Sequence, residues 1–476
     1  MESSSHNDAP VTGEAFGFKR EYFIETLTEE IRTCTPPKGL AINGYWGSGK
    51  TSALMQIYQK LSGHHPASPP LAPSQRPHKE VLVIWFEAWR YQHEPQPIVA
   101  LLHEIREQLG VWQRFRNATG KLTSVALRGA FEIFGEAIKS ASGGLLGNPI
   151  NTFQQHGEQW EAQHHHTPLP TKEIQQLLEQ AIDQILSLTL NEWVEQLSEP
   201  PNPKNRLVIF IDDLDRCTPN AALRLLEGIK IYLNLKNCVL IFGMDQRQIE
   251  QALQQALYPN AAESREAAHQ VREYLEKICQ DIHHLPLPNR EQKADYFTQL
   301  LTPLTKPKAA VQELEKYLIL YDPLPANPRK IKAVVNRIAL LLRRPGLLKS
   351  INGGKSFAAL SKLPPSPPGE PLELHPHERQ YCLLLAFSII YCFHRLLHEQ
   401  LLRNPNYINV LLAYAEKPDE SSPTYAPMHE IRPSIKDDKE LPVNPSDSNV
   451  FRLHQLLMNL NEITENDMKI AKEYLL

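Results

Sequence analysis

The eight residues Gly44-Tyr45-Trp46-Gly47-Ser48-Gly49-Lys50-Thr51 match the pattern G-x-x-x-x-G-K-[ST], and no other feature of the chain constrains its fold as much. Leu40-Ala41-Ile42 ahead of them reads as a short buried strand and Ser52 to Leu61 behind them as a helix, the setting in which this pattern is a phosphate-binding loop. Glycines let the backbone wrap close to phosphate oxygens. The N–H groups at the head of the helix point at those oxygens, with the positive end of the helix dipole behind them. Lys50 is therefore expected to reach the β- and γ-phosphates of a nucleotide, and the Thr51 hydroxyl to ligate magnesium. The expected nucleotide-binding residues are Gly44, Gly47, Ser48, Gly49, Lys50, Thr51 and Ser52.

A loop of this kind needs an acidic partner on a neighbouring strand, and the sequence offers one. Leu207-Val208-Ile209-Phe210-Ile211 is an apolar run that delivers Asp212-Asp213-Leu214-Asp215-Arg216 at its carboxyl end. Carboxylates placed there can hold magnesium opposite Thr51. Two consecutive acids allow a division of labour, with Asp212 on the metal side and Asp213 polarising the attacking water. Val81-Leu82-Val83-Ile84-Trp85-Phe86 and Cys238-Val239-Leu240-Ile241-Phe242 are two further uninterrupted apolar runs, as parallel strands covered on both faces require. The first leads into Glu87. The second ends at Gly243-Met244-Asp245, where Asp245 reads either as a γ-phosphate sensor or as the cap of the next helix.

Between and beyond these strands the sequence is helical or irregular. Glu21 to Arg32 is amphipathic, Pro97 opens a helix that Gly110 is expected to close, and Thr171 caps a long amphipathic helix. Residues 63–79, rich in proline, read as a loop, with His64 and His65 as solvated features rather than metal ligands. Residues 122–150 carry an apolar face interrupted by charge and are expected to pack on the core rather than lie in a membrane interface. Tyr381 to Phe393 is uncharged but too short to span a bilayer, and reads as a buried helix. The six cysteines are scattered without C-x-x-C spacing, so neither a zinc site nor a disulfide framework is indicated. A net charge of −4 gives no global signal for nucleic acid. The N-terminus has no signal-peptide core and no run approaches a transmembrane span, so a cytoplasmic, soluble protein is expected.

Taken together, Gly44 to Thr51, the segment Trp85-Phe86-Glu87-Ala88-Trp89-Arg90-Tyr91, the string Asp212 to Cys217, Gly243-Met244-Asp245, Tyr274 to Ile278 and Asn327-Pro328-Arg329 resemble the KAP family of P-loop NTPases. The resemblance covers about residues 16–345. It implies an α/β fold in the additional-strand division: a parallel-sheet P-loop NTPase core with helices on both faces, followed by a helical C-terminal region. It also implies a helical sensor arginine at Arg329, ATP and magnesium as cofactors, and ATP hydrolysis with Lys50, Asp213 and Arg329 as catalytic residues and Thr51 and Asp212 as metal ligands. The chain departs from many members in carrying Glu87 where asparagine is common. It also lacks apolar spans in residues 111–170, where many members have transmembrane helices. Family members include bacterial proteins linked to phage exclusion and animal membrane scaffolds. The expected organisation is a flexible N-terminus (1–15), the core (16–285, with insertions at 63–79 and 111–200), a helical lid or sensor region (286–362), a proline-rich linker (363–376) and a helical C-terminal region (377–476) with a loop at 417–448.

Three functions fit these observations. The first is an ATPase acting as a nucleotide-driven switch or assembly machine, with bacterial anti-phage defence as its expected setting. The second is a GTPase, disfavoured because no N-K-x-D tetrad occurs. The third is a nucleotide-stabilised scaffold whose helical region binds a partner. A homo-oligomer or a protein partner is expected. Arg216 is expected either to hold the neighbouring acids or to project to another subunit.

Overall fold

The computed structural model describes residues 5–7, 18–68, 71, 75–116, 171–190, 205–259, 264–305, 308–352, 376–404 and 464–475. The chain divides into two compact units: Glu21–Trp46 with Lys50–Leu285, and Met1–Arg20 with Gly47–Gly49 and Pro286–Leu476.

The first unit is an α/β layer structure. In chain order it contains α1 (Glu21–Thr33), β1 (Lys38–Asn43), α2 (Lys50–Ser62), β2 (Val81–Glu87), α3 (Pro97–Arg116), α4 (Thr171–Leu190), β3 (Arg206–Asp212), α5 (Pro219–Tyr232), β4 (Cys238–Met244), α6 (Gln246–Leu257), α7 (Arg265–Glu276) and β5 (Asp281–His284). The five strands are parallel and stand in the order β2-β3-β4-β1-β5. β4 therefore lies between β1 and β3, the additional-strand arrangement that the sequence resemblance implies.

Alternation along the strands accounts for the helices on both faces. Leu40, Ile42, Val83, Trp85, Val208, Phe210, Val239 and Ile241 point to one side, where they form a core with Ile24, Leu27 and Ile31 of α1 and Leu54, Ile57 and Leu61 of α2. Ala41, Leu82, Ile84, Phe86, Leu207, Ile209, Ile211, Leu240 and Phe242 point to the other, against α3, α4, α5, α6 and α7. Every residue of β3 and β4 is buried, so neither strand shows the polar alternation of a half-exposed strand. A buried Leu, Ile or Phe side chain contributes about 1.5–3 kcal/mol, which makes this two-sided core the main stabilising element of the sheet.

Three local features differ from the sequence reading. β5 was not expected, because Asp281-Ile282-His283-His284 is short, polar and only partly buried. It is an edge strand held by pairing with β1, and the Gln280 side chain and backbone bond Gly39 on the way in. α3 does not end at Gly110 but runs to Arg116; a helix-interior glycine costs only about 1 kcal/mol relative to alanine. His64 is buried at 9% exposure rather than solvated, with its ring edge-on to Tyr58 at 5.6 Å and Nδ1 3.3 Å from the Ser62 carbonyl. The expectations for residues 122–150, 363–375 and 417–448 lie outside the described residues.

The second unit is helical: α8 (Arg290–Leu301), α9 (Lys308–Tyr321), α10 (Pro328–Leu342), α11 (Leu347–Ile351), α12 (Pro376–Phe393), α13 (Arg395–Arg403) and α14 (Glu465–Ile470). Its core is built from Phe297, Leu314, Tyr317, Ile331, Val335, Ile338 and the buried run Tyr381 to Phe387. Among the described residues no helix is long and apolar enough to cross a membrane, α12 included. α8 starts with a reciprocal capping box between Asn289 and Gln292.

Candidate nucleotide site

In a parallel sheet all carboxyl ends emerge on one edge, so the residues following β1, β2, β3 and β4 converge. The register places Asn43 beside Met244 and Glu87 beside Asp212. Lys50 opens α2 and is buried at 7% exposure. Its Nζ donates to the carbonyls of Gly44 (2.8 Å) and Tyr45 (3.4 Å) and lies 3.1 Å from Oδ2 of Asp215. The Thr51 hydroxyl, one residue on, hydrogen-bonds the Asp212 carboxylate.

Asp212, at the end of β3, is a carboxyl buried away from water. The residue is 1% exposed, and burial together with the adjacent Asp213 carboxylate pushes its pKa up to about 7, against the opposing pull of Thr51 and Lys50. Its Oδ1 has no hydrogen-bond partner among the described residues. Gly243 leaves the space around that oxygen open: a Cβ there would stand 2.7 Å from Asp212 Oδ1 and closer still to the Leu54 side chain. A buried carboxylate with one oxygen bound to the P-loop threonine and the other unsatisfied has the chemistry of a magnesium site, so Thr51 and Asp212 fit that ion.

Asp213 adopts a left-handed backbone (φ 58°, ψ 28°) at the head of a short 3₁₀ turn, Leu214–Arg216. Aspartate is among the few residues with a Cβ that adopt that conformation, and it ends the extended path of β3. Its Oδ1 pairs with Arg216 Nη2 at 2.9 Å, and burial raises its pKa while Arg216 opposes the rise. The side chain of Glu87 is partly exposed and pairs with Arg90 in the same way. Asp245 occupies the N-cap position of α6 without a side-chain capping bond. Its N–H donates to Asp215 Oδ2 at 3.0 Å, and its buried carboxyl is raised, with Lys50 as the main opposing charge.

The structure thus brings together Lys50, Thr51, Asp212 and Asp213, with Ser52 buried in the first turn of α2. Gly44, which opens the loop, donates its N–H to the Met244 carbonyl. The three central loop residues group with the helical unit. Gly47 and Gly49 have φ of 77° and 98°, conformations that favour glycine. A Cβ on Gly47 would meet the Asn327 side chain at 2.7 Å, and the Ser48 carbonyl accepts from Arg20 Nη1 at 2.9 Å. Arg329 belongs to that unit as well, in the first turn of α10, where Asn327 Oδ1 caps the N–H groups of Arg329 and Lys330 at 3.1 and 3.2 Å.

Sequence reasoning missed two contributors. Asp215 is the buried partner of Lys50, which only the curl of the 3₁₀ turn makes possible. Asn43, the last residue of β1, accepts from the Gln246 N–H at 2.9 Å and ties the entry to the loop to the start of α6. The acidic spacing Asp212-Asp213-Leu214-Asp215 was the available signal for the first; nothing in the sequence marked the second.

A parallel sheet with a phosphate-binding loop after β1, an inserted β4 and paired carboxylates after β3 defines a nucleotide-binding P-loop NTPase core. A model of the KAP family P-loop domain matches residues 20–344, and the chain belongs to that family. No curated protein matches the chain.

Proposed function

We propose that the protein binds and hydrolyses ATP with magnesium and uses the cycle as a conformational switch or to drive assembly. The observation that carries this reading is the convergence of Lys50, Thr51 and Asp212, with one Asp212 oxygen buried and without a hydrogen-bond partner among the described residues, which suits a cation ligand. Thr51 and Asp212 would hold magnesium, which when bound neutralises charge on the phosphates. Lys50 would bind the β- and γ-phosphates, and the N–H groups at the head of α2 would bind phosphate oxygens. Asp213 would orient the attacking water and take its proton, once Arg216 no longer neutralises it. Arg329 is the proposed source of positive charge at the γ-phosphate, and Arg216 the residue that holds Asp213 or reaches a neighbouring subunit.

ATP rather than GTP is favoured because the chain has no N-K-x-D tetrad. Calorimetric titration of the full chain with ATPγS and with GTPγS tests this: ATPγS binding that GTP does not compete away supports the reading, and preferential GTPγS binding contradicts it. A cytoplasmic role in bacterial defence against phage rests on the family resemblance alone. It is tested by plaque counts on bacteria with and without the intact gene. Equal counts across a broad phage panel would contradict it.

A further inference from the structure

Lys50 has three N–H donors, and the protein itself uses all of them. Two go to the Gly44 and Tyr45 carbonyls and the third faces Asp215 Oδ2 at 3.1 Å. Both side chains of this ion pair are almost fully enclosed, at 7% and 6% exposure. The pair is therefore neither screened nor loosened by solvent as a surface salt bridge is. Asp215 is also held from its other side, because the same Oδ2 accepts the Asp245 N–H at 3.0 Å, which ties it to the end of β4. Asp215 has no place in the division of labour between Asp212 and Asp213.

We infer that Asp215 is a built-in competitor for the phosphates: it occupies the charge of Lys50 in the ligand-free protein and thereby sets nucleotide affinity. The inference rests on the reading of Lys50 as the β- and γ-phosphate ligand. When the ammonium turns to a phosphate, it exchanges one anion for another. Asp215 is then left buried without a cation, beside Asp245 and near an incoming polyanion. A buried charge stripped of its partner is costly, and that cost is subtracted from the binding energy of every ligand that draws Lys50 away. Asp215 thus acts through Lys50 as a positioning residue, and its removal should tighten binding, whereas loss of a merely supporting residue would weaken it.

The test is calorimetry of the full chain with ATPγS and with inorganic pyrophosphate, each in magnesium and in EDTA, alongside thermal unfolding. Asp215→Asn is expected to bind both ligands about tenfold or more tightly than wild type, equally with and without magnesium. Asp215→Glu, which keeps the charge, is expected to stay near wild type. If Asp215→Asn does not fold, Asp215→Ser decides on the same criterion, since its hydroxyl can still accept the Asp245 N–H. Unchanged or weaker binding by a folded variant overturns the inference while leaving the nucleotide reading intact. Weakening confined to magnesium would make Asp215 a metal-facing group and also overturns it. Failure of wild type and variants alike to bind either ligand would instead refute the reading of the site on which the inference rests.

Discussion

Replacing Asp212 by asparagine should stabilise the ligand-free protein at neutral pH, although it removes the proposed metal-holding carboxylate. The carboxyl is moved from an ordinary 3.8 up to about 7 by burial and by Asp213. Between about pH 4 and pH 7 the folded chain therefore keeps a proton that the unfolded chain has already lost, and stability falls as pH rises through that window. At 1.36 kcal/mol per tenfold change in proton affinity, a shift of this size corresponds to at most about 4 kcal/mol above pH 7. Asparagine keeps the shape and the acceptor for Thr51 but carries no charge, so it escapes the loss. In urea titrations with EDTA, Asp212→Asn should match wild type near pH 4 and exceed it by about 2–4 kcal/mol at pH 8. Saturating magnesium and ATPγS should reverse the order, because wild type alone gains the metal. A variant no more stable than wild type at pH 8 would refute the picture of Asp212 as a high-energy carboxyl awaiting a cation.

Other perturbations follow from the same geometry. Gly243→Ala places a methyl 2.7 Å from Asp212 Oδ1; it should destabilise by about 1–3 kcal/mol and weaken the magnesium dependence of binding, and an unaffected magnesium titration would show that the space serves no ligand. Arg329→Ala should lower turnover by about 10³-fold or more if it serves the γ-phosphate, and a loss of only a few fold would remove it from that role. Mixing Arg216→Ala with Asp213→Asn subunits should recover no activity if Arg216 merely holds Asp213 at 2.9 Å within its own chain; recovery across mixing ratios would place it in a neighbour's site.

What could be read from the sequence was whatever burial or backbone geometry forces on residue type. β2, β3 and β4 are covered on both faces, so they are written as unbroken apolar runs, and the loop's positive-φ positions at 47 and 49 demand the glycines that the motif contains. β5 was illegible because an edge strand of Asp-Ile-His-His gets its stability from pairing with β1, not from composition. His64 sits among prolines that signal a solvated loop, and its burial depends on Tyr58 one helical turn and a loop away. The Lys50–Asp215 pair depends on a left-handed Asp213 followed by a 3₁₀ turn, a bend no residue type announces. Aspartate is among the few types besides glycine that tolerate a positive φ, so its identity permits the bend at Asp213 without marking it.

The most direct test of the account is phosphate release from ATP by the intact chain, measured together with ATP binding in wild type, Lys50→Ala and Asp213→Asn. Magnesium-dependent turnover is expected of wild type, no binding or turnover of Lys50→Ala, and retained binding with turnover reduced by about 10²-fold or more of Asp213→Asn. Wild type that binds ATP without ever releasing phosphate would contradict hydrolysis and favour a nucleotide-stabilised scaffold. Full turnover by Asp213→Asn would move the base elsewhere, with Glu87, paired beside Asp212 in the strand register, first in line.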